Sequence, residues 1–584
     1  MDRRGFLADF GRYSSAQESS APPPMSGLEA YSGVWGYEQA AHLLRRAMFG
    51  PTYAQIKQAE TDGLAATLAQ LFEVTYPTAG PIHTGQFFSQ MGAVIPLDDP
   101  NTAVGASWVN KVGGVWQASM YDTSNQQNFL LNQTARRLAM RAHKQEQMMK
   151  EQVSVLEKMT LFWHNHFVTS DNPDGLLDFR YITTLQENSL GNFRDLVKLI
   201  TLDPAMLKYL NGNENTKVAP NENYARELFE LFSIGKGPQI APGDYTNYTE
   251  TDIQEAAKVL TGWQILNFTN WPVTNGQVTL ENSALTVFTQ FFHDSTSKTF
   301  SAHFNNTTIT NAGANEYLQL VDMIFQQDEC ARFLCRKFYR WFVYYTIDAE
   351  TEAGIIAQMA QMLLDNDYQV QPVLEALFGS QHFFDVINRG PMIKNPIDFM
   401  MSLVKPFHFE QLEPTVSLLQ KQVFYQNLFN HYDGMQMSYF MPPSVAGWKA
   451  YYQEPSYYRI WINASTLVAR SKLSGQLALS VNNNGQPSGY GLDVLGFVAA
   501  LDNPTDPVAM IDEFVRILFP RDITATQKDY LKSALLPGLP DYEWTVEYGD
   551  YLVDPTNAVL QAAIVSKLRV LLNTMMSMPE FQLS

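Results

Sequence analysis

Residues 161–167 read Leu-Phe-Trp-His-Asn-His-Phe, so two imidazoles and an amide stand among large apolar side chains. Leu156, Met159, Trp163 and His166 recur at helical spacing, which places them on one stripe of a helix. A buried polar group without a partner costs about 1–3 kcal/mol, so each polar side chain here needs a metal, a carboxylate or a backbone carbonyl. The stretch therefore predicts a buried helix and leaves the nature of its polar partners open.

The same helical spacing recurs along most of the chain on both sides of this stretch. Apolar periodicity and stop signals predict helices near residues 37–49, 145–167, 221–234, 251–261, 328–345, 355–364, 373–378, 397–404, 465–479, 508–518, 525–535 and 559–577. One helix is predicted to begin near Thr251, whose spacing to Gln254 fits a capping box.

Two regions break the helical pattern. Residues 83–128 are rich in Gly, Asn, Asp and Thr and predict a long irregular excursion. Around residues 264–310 the pattern is β-like, and Asn275-Gly276 between two short apolar runs is a strong hairpin signal. Loops of this length are more often functional than decorative. The predicted fold is mainly α, a large multi-helix single body with a small β-hairpin excursion around residues 264–310.

The predicted organisation along the chain has three parts. Residues 1–36 form a flexible N-terminal tail, residues 37–480 the main helical body, and residues 481–584 a C-terminal helical segment packed on the body. The start, residues 2–7 Asp-Arg-Arg-Gly-Phe-Leu, looks like a twin-arginine export signal without the apolar segment that should follow it. The signal is therefore degenerate.

Composition excludes several classes of partner and site. The 584 residues carry a formal net charge of −19, which argues against nucleic acid because phosphates would be repelled. No apolar run reaches the roughly 18–20 residues of a transmembrane helix, so no transmembrane segment is predicted. Cys330 and Cys335 are spaced wrongly for a disulfide on one helix and are not a CxxC pair, so a thiolate site is not expected.

His164 and His166 are the candidate metal ligands. On a helix they diverge by about 200°, so both reach one divalent ion only where the helix ends or unwinds. Residues 169–173 supply such an end. The alternative is that His166 packs inward and His164 hydrogen-bonds elsewhere or complements the helix terminus. The chain has no H-E-x-x-H or E-x-x-H motif, so the familiar zinc and di-iron templates do not apply.

Residues 221–230 carry the candidate acid and base. Glu222, Arg226 and Glu230 stand at four-residue spacing, which is typical of a surface ion-pair ladder. Glu222 and Glu227 are alternatively catalytic carboxylates, with Glu227 and Glu230 on one face as acid and base.

Two asparagines flank Glu222. Asn221 and Asn223 have amides that can hold a carboxylate in place. Asn221 is alternatively a helix N-cap, which would explain one of the two asparagines without a site.

His293 and Asp294 lie in the β-like excursion, where they form a base-and-orienter pair only if the chain bends. Trp263, Trp271 and Trp448 are candidate platforms for sugars, with packing in the core or a loop as the alternative reading.

Several segments together resemble the bacterial family known as DUF1800, domain of unknown function 1800. They are residues 41–52, 158–170, 221–228, 248–250, 261–263, 293–300, 336–338, 394–396, 442–448 and 578–581, which follow the family's order along nearly the whole chain. The chain departs from the family after Trp448, where Lys-Ala-Tyr-Tyr replaces a Gly-rich turn.

The resemblance implies a mainly helical, often exported protein that is frequently encoded beside a sulfatase-like partner, and no settled activity. It predicts a periplasmic or cell-envelope location, and the missing apolar signal favours the cytoplasm as the alternative. Two hypotheses follow. One is an exported enzyme, with a divalent metal as its candidate cofactor, that acts on a glycan or another polymer in a pocket lined by the His164/His166, Glu222/Glu227 and His293/Asp294 segments. The other is a non-catalytic envelope scaffold or binding protein whose polar motifs are structural.

Overall fold

A computed structural model describes residues 27–89, 92–172, 174–266, 273–274, 277–280, 285–409, 417–482, 484–487 and 490–584. The predicted twin-arginine-like start, the predicted turn Asn275-Gly276 and Trp271 lie outside the described residues.

Helices make up most of the described chain, as predicted. They are α1 (Tyr37–Ala47), α2 (Tyr53–Asp62), α3 (Leu64–Phe72), α4 (Gln126–Lys150), α5 (Leu156–His166), α6 (Gly175–Glu187), α7 (Phe193–Thr201), α8 (Pro204–Tyr209), α9 (Asn223–Glu227), α10 (Glu250–Val259), α11 (Glu316–Ile324), α12 (Asp328–Phe342), α13 (Ala349–Thr351), α14 (Ala357–Asp365), α15 (Val370–Phe378), α16 (Pro396–Val404), α17 (Leu418–Gly434), α18 (Ala464–Leu479), α19 (Val494–Ala499), α20 (Pro507–Leu518), α21 (Ala525–Leu535), α22 (Tyr542–Val553) and α23 (Ala558–Met576). Two π-helical turns, Leu228–Ser233 and Glu352–Ile356, continue α9 and α13.

The strands are short and antiparallel. They are β1 (Gln86–Phe88), β2 (Val94–Pro96), β3 (Val109–Val112), β4 (Val115–Ser119), β5 (Gln239–Ala241), β6 (Asp244–Tyr245), β7 (Trp263–Ile265), β8 (Val273–Thr274), β9 (Gln277–Thr279), β10 (Thr286–Phe288), β11 (Lys298–Thr299) and β12 (Thr308–Ile309). The predicted strands on both sides of Asn275-Gly276 are β8 and β9, and they pair with each other.

Strands of the two excursions meet in one four-stranded sheet, a pairing that the sequence does not predict. The strand order is β3-β4-β9-β8, so a strand of the first excursion pairs with a strand of the second. Ala118 on β4 and Val278 on β9 are register partners and both are fully buried. The region 83–128 is therefore not irregular throughout: β1 pairs with β2, β3 pairs with β4, and β4 also pairs with the distant strand β9.

The predicted helix over residues 145–167 is divided into α4 and α5. The intervening side chains turn back to cap α5: Ser154 Oγ accepts from Leu156 N at 3.1 Å, and Glu151 Oε1 accepts from Glu157 N at 3.0 Å. Side chains that satisfy the free N–H groups of a first turn favour a new helix start over continuation.

The predicted capping box at Thr251 and Gln254 is wrong by two residues. Thr249 caps α10: its hydroxyl accepts from Asp252 N at 3.2 Å, and the Asp252 carboxylate accepts from Thr249 N at 2.8 Å. Asp252 also accepts from Ser301 N at 2.7 Å, so the same carboxylate ties the excursion to the helix.

The hydrophobic core is continuous from α1 to the last helices. In the C-terminal segment, α23 packs against α18, α21 and α22 and buries Ile564, Leu568, Leu571 and Leu572. Among the described residues α23 is also the one helix long and apolar enough to cross a membrane by length and composition, where no such segment was expected from the sequence.

Candidate functional site

The three polar residues at the end of α5 each bind a different segment of the chain. His164 Nε2 donates to the carbonyl of Tyr439, and its Nδ1 contacts the Tyr181 hydroxyl at 3.1 Å. Asn165 Oδ1 accepts from Trp448 N at 3.0 Å. His166 uses a further set of partners, described next. The Leu-Phe-Trp-His-Asn-His-Phe stretch is thus a structural hub, in which polar side chains fix the backbone of several loops.

His166 lies against Lys337 and the π-helical turn. Because a carbonyl only accepts, His166 Nε2 is the donor to Phe232 O at 3.0 Å, and Nδ1 faces Lys337 Nζ at 3.1 Å. Lys337 also donates to Leu231 O at 2.8 Å. Burial, together with the nearby Lys337, holds the pKa of His166 well below its usual range, and burial lowers the pKa of His164 to about 4. Both rings are neutral at pH 7 and engage both of their nitrogens.

This geometry lends no support to a metal at the histidine pair. The two rings contact different groups, as their two-residue spacing on a helix predicts. Nor does the part of the chain that the structure describes bring three or more His, Cys, Asp or Glu side chains together in a way that could hold an ion. The metal-ligand role of His164 and His166 stays a prediction, and none of their contacts supports it.

The Glu222 segment forms a surface ion pair. Arg226 binds Glu222 at 3.1 Å and binds Glu250 through two hydrogen bonds of 3.0 and 2.7 Å. Asn221 Oδ1 accepts from Asn223 N at 2.9 Å, but the N-cap position of α9 is Glu222, so Asn221 contacts the helix start from one residue before the predicted cap. Arg226 therefore pairs with Glu250 on α10 as well as with Glu222, and only the fold brings Glu250 close to Arg226.

Glu227 is the carboxyl of this segment whose environment suits acid–base chemistry. It is half-buried, and burial together with the nearby Glu230 raises its pKa to about 7. Glu230 itself binds the Tyr248 hydroxyl at 3.1 Å and Lys236 at 3.7 Å. A carboxyl that titrates near neutral pH suits a general acid or base, so Glu227 stays a candidate.

His293 is fixed in a buried charge network. Its Nε2 lies 3.1 Å from Glu316, whose other oxygen binds Lys298 at 2.7 Å, and all three side chains are fully buried. Its Nδ1 contacts Thr261 O at 2.9 Å. Asp294 does not orient His293: its carboxylate accepts from Thr296 N at 2.8 Å. The network joins the β excursion to α11 and gives His293 a structural role. Asp294 contacts Thr296 instead, within its own loop.

The two candidate tryptophans that the structure describes, Trp263 and Trp448, are buried. Trp448 is 1% exposed and Trp263 is 8% exposed, so neither offers a face to a sugar. Trp263 packs edge-on against Tyr317, which does reach a cavity.

The three predicted segments are not joined through their candidate side chains. Within the described ranges, no candidate of the His164/His166, Glu222/Glu227 or His293/Asp294 segment hydrogen-bonds to a candidate of another.

A large cleft lies elsewhere, between the sheet of the excursions and the helical body. Its empty volume is about 1360 Å³, part of it open to solvent. Trp116 on β4 and Leu280 after β9 form the sheet wall, and Phe179 on α6 and Tyr317 on α11 contribute to the opposite wall. Trp116 meets Phe179 edge-on, with ring centroids 4.9 Å apart.

The polar lining of the cleft comes from α6 and α7. Glu187 accepts from Trp116 Nε1 at 2.9 Å and from Lys111 Nζ at 2.5 Å, so the carboxylate and the indole hold each other in place. Thr183, Asp195 and Lys198 also line the cleft, and Lys198 pairs with Asp322 at 2.6 Å.

None of the lining residues stands out in the sequence, although Trp116, close after Gly113-Gly114 in a polar excursion, is an available signal. The helical and sheet walls that meet here are far apart in the chain. Only their packing shows the cleft.

These features define a large, mainly helical protein with a β-walled, amphipathic cleft. The family model described as protein of unknown function, DUF1800, matches residues 42–583. The chain belongs to the DUF1800 family, which confirms the resemblance. No curated protein and no solved structure matches the chain.

Proposed function

We propose that this protein binds a glycan in the cleft between β4 and helices α6, α7 and α11. The observation that carries the proposal is the lining, in which the half-buried Tyr317 ring and polar side chains face one large space, backed by the buried rings of Trp116 and Phe179. Ligand pockets typically combine an apolar surface with a few placed polar groups. A sugar has the complementary pattern, because its ring has an apolar C–H face and a rim of hydroxyls.

Glu187 supplies a fixed hydrogen-bond acceptor in this cleft. Lys111 and the Trp116 indole both donate to its carboxylate, and a carboxylate held in place accepts hydrogen bonds from hydroxyls. The proposed ligand, a glycan, is therefore the polymer named in the enzyme hypothesis. The proposed role, binding, is that of the scaffold or binding-protein hypothesis. An envelope location and a sulfatase-like partner remain predictions from the family resemblance.

The test is a binding screen by calorimetry against neutral, uronic-acid and sulfated oligosaccharides. We expect saturable binding to at least one class, weakened about ten-fold in Tyr317→Ala, since losing one well-packed aromatic contact is worth about 1.4 kcal/mol. Tyr530→Ala is the matched control, because Tyr530 is an exposed aromatic on α21 that does not line the cleft. The absence of binding to any class refutes the proposal, as does equal weakening by both variants. Release of reducing ends would instead support the enzyme hypothesis.

A further inference from the structure

The charged side chains of the glycan cleft are unequally matched. Among the described residues, the cations that line it are Arg180 and Lys198. Arg180 pairs with Asp203, and both side chains are buried, whereas Lys198 pairs with Asp322 at 2.6 Å. The positive charges of the lining are therefore already offset by carboxylates, so neither offers an uncompensated charge to an anionic ligand.

Asp195 is the carboxylate of this lining that has no cation. It lies exposed in the first turn of α7 and lines the cleft. In the described part of the chain no cation lies within ion-pair distance of it, and the adjacent Arg194 pairs with Asp367 at 3.0 Å instead. A negative charge in a first turn also stabilises the helix, and the structural alternative is that Asp195 does only this.

Glu187 and Asn188 add further acceptors to the lining. Lys111 and Trp116 both donate to Glu187 Oε1, and within the described ranges no group donates to its Oε2. The amide nitrogen of Asn188 donates to Thr184 O at 2.8 Å, which leaves the amide oxygen as an acceptor. The lining therefore offers acceptor oxygens and negative charge to a ligand, whereas the indole donor of Trp116 is already bound.

These properties select among glycans by their substituents. An ammonium group has three N–H donors and a positive charge, so it can bind a carboxylate and a second acceptor at the same time. A carboxylate or sulfate group has only acceptors, and its negative charge is repelled by a chain whose net charge is −19. A neutral hydroxyl lies between these two cases.

We infer that the glycan bound in this cleft contains amino-sugar units, whose ammonium groups donate to Asp195. Glu187 and Asn188 accept further N–H and O–H donors of the same ligand. The inference rests on the glycan-binding function proposed above and narrows it to one substrate class. The empty volume of about 1360 Å³ exceeds the roughly 300–1,000 Å³ typical of ligand pockets, so space does not limit the ligand to one sugar unit.

Calorimetric titration of the full chain with a glucosamine tetramer and with its fully N-acetylated counterpart tests the inference. The two ligands share one backbone and differ in the ammonium charge. At about pH 6, above the usual pKa of a carboxyl group and below that of an amine, we expect the glucosamine tetramer to bind about ten-fold tighter, the order of one charge-assisted hydrogen bond. The difference should shrink in high salt, because salt screens exposed charges. An oligogalacturonate of equal length should bind weakest of the three.

Asp195→Asn tests the carboxylate itself. The substitution keeps the shape and removes the charge, so the glucosamine tetramer should bind about ten-fold more weakly and lose its advantage over the N-acetylated ligand. Asp529→Asn is the matched control, because Asp529 is an exposed aspartate on α21 that does not line the cleft, and its loss changes the net charge by the same amount. If Asp195 only stabilises its helix, Asp195→Asn lowers stability and leaves the preference intact, which overturns the inference.

The outcomes separate this inference from the proposed function. Equal binding of the glucosamine and N-acetylated tetramers, or tightest binding of the oligogalacturonate, overturns the amino-sugar inference and leaves glycan binding in place. Equal losses in Asp195→Asn and Asp529→Asn also overturn it, since the preference would then come from the net charge of the chain. If neither these three oligosaccharides nor those of the screen above bind, the function itself is refuted. The wild-type comparison needs no variant, so it decides even if Asp195→Asn does not fold.

Discussion

Gly447→Ala should destabilise the protein through the hub at the end of α5. Gly447 has φ +87°, and a Cβ at this position would lie 2.7 Å from the backbone oxygen of Asn165. The next residue, Trp448, donates its N–H to the Asn165 side chain. The obstacle is backbone of a buried helix, which cannot rotate away as a side chain can.

Two effects add to give the expected magnitude. An alanine in the left-handed region costs about 1–2 kcal/mol. Overpacking against a fixed neighbour costs about 1–3 kcal/mol more. We therefore expect Gly447→Ala to lower the free energy of unfolding by about 2–5 kcal/mol.

The control separates these two effects. Gly538 also has a positive φ, +69°, but a Cβ there meets nothing within 4 Å. Gly538→Ala should show only the conformational part, about 1–2 kcal/mol. Urea transitions followed by tryptophan fluorescence compare the two variants with wild type, and pulse proteolysis guards against a transition that is not two-state. Equal destabilisation by both substitutions would show that the close approach to Asn165 is energetically unimportant.

Three further predictions concern buried and half-buried ionisable groups. Because the pKa of Glu227 is raised to about 7, its ionisation opposes folding. The stability of the wild type should therefore fall relative to that of Glu227→Gln as the pH rises from about 4.5 to about 7. Parallel pH profiles of the two urea midpoints would contradict this. Lys144→Met leaves the buried Glu157 without its cation and should lower the free energy of unfolding by about 3–5 kcal/mol. The double variant Lys144→Met with Glu157→Gln should recover most of this loss in the same urea assay. No recovery would refute the charge argument. Cys330 and Cys335 are buried and burial raises both thiol pKa values, so neither should react with a thiol reagent until urea unfolds the chain; rapid labelling of the native protein would exclude this packing.

Local sequence signals predicted the elements well where a single segment carries the information. The apolar stripe, the glycines that stop helices and the Asn275-Gly276 signal gave a mainly helical fold with a small β excursion, which the structure confirms. These signals failed where a polar side chain caps backbone N–H groups and so divides a stretch that has helical apolar spacing. Glu151 and Ser154 start a new helix within the predicted stretch 145–167 by capping its N–H groups.

The candidate site was harder to predict, because polar residues in apolar surroundings indicate a buried partner without naming it. His164 and His166 do have buried partners, but these are carbonyls, a hydroxyl and an ammonium. Arg226 pairs with Glu250 in addition to Glu222, and His293 pairs with Glu316.

The sequence by itself determined the family, the helical class and the polar character of the α5 terminus, since spacing and residue type are local properties of the chain. Only the tertiary structure decided what those residues contact. It paired β4 with β9 and so built the wall of the cleft, and it placed the backbone of Trp448 against the Asn165 side chain. The physical reason is that hydrogen bonds and desolvation depend on which groups become neighbours, and in both places the neighbours come from segments far apart in the chain.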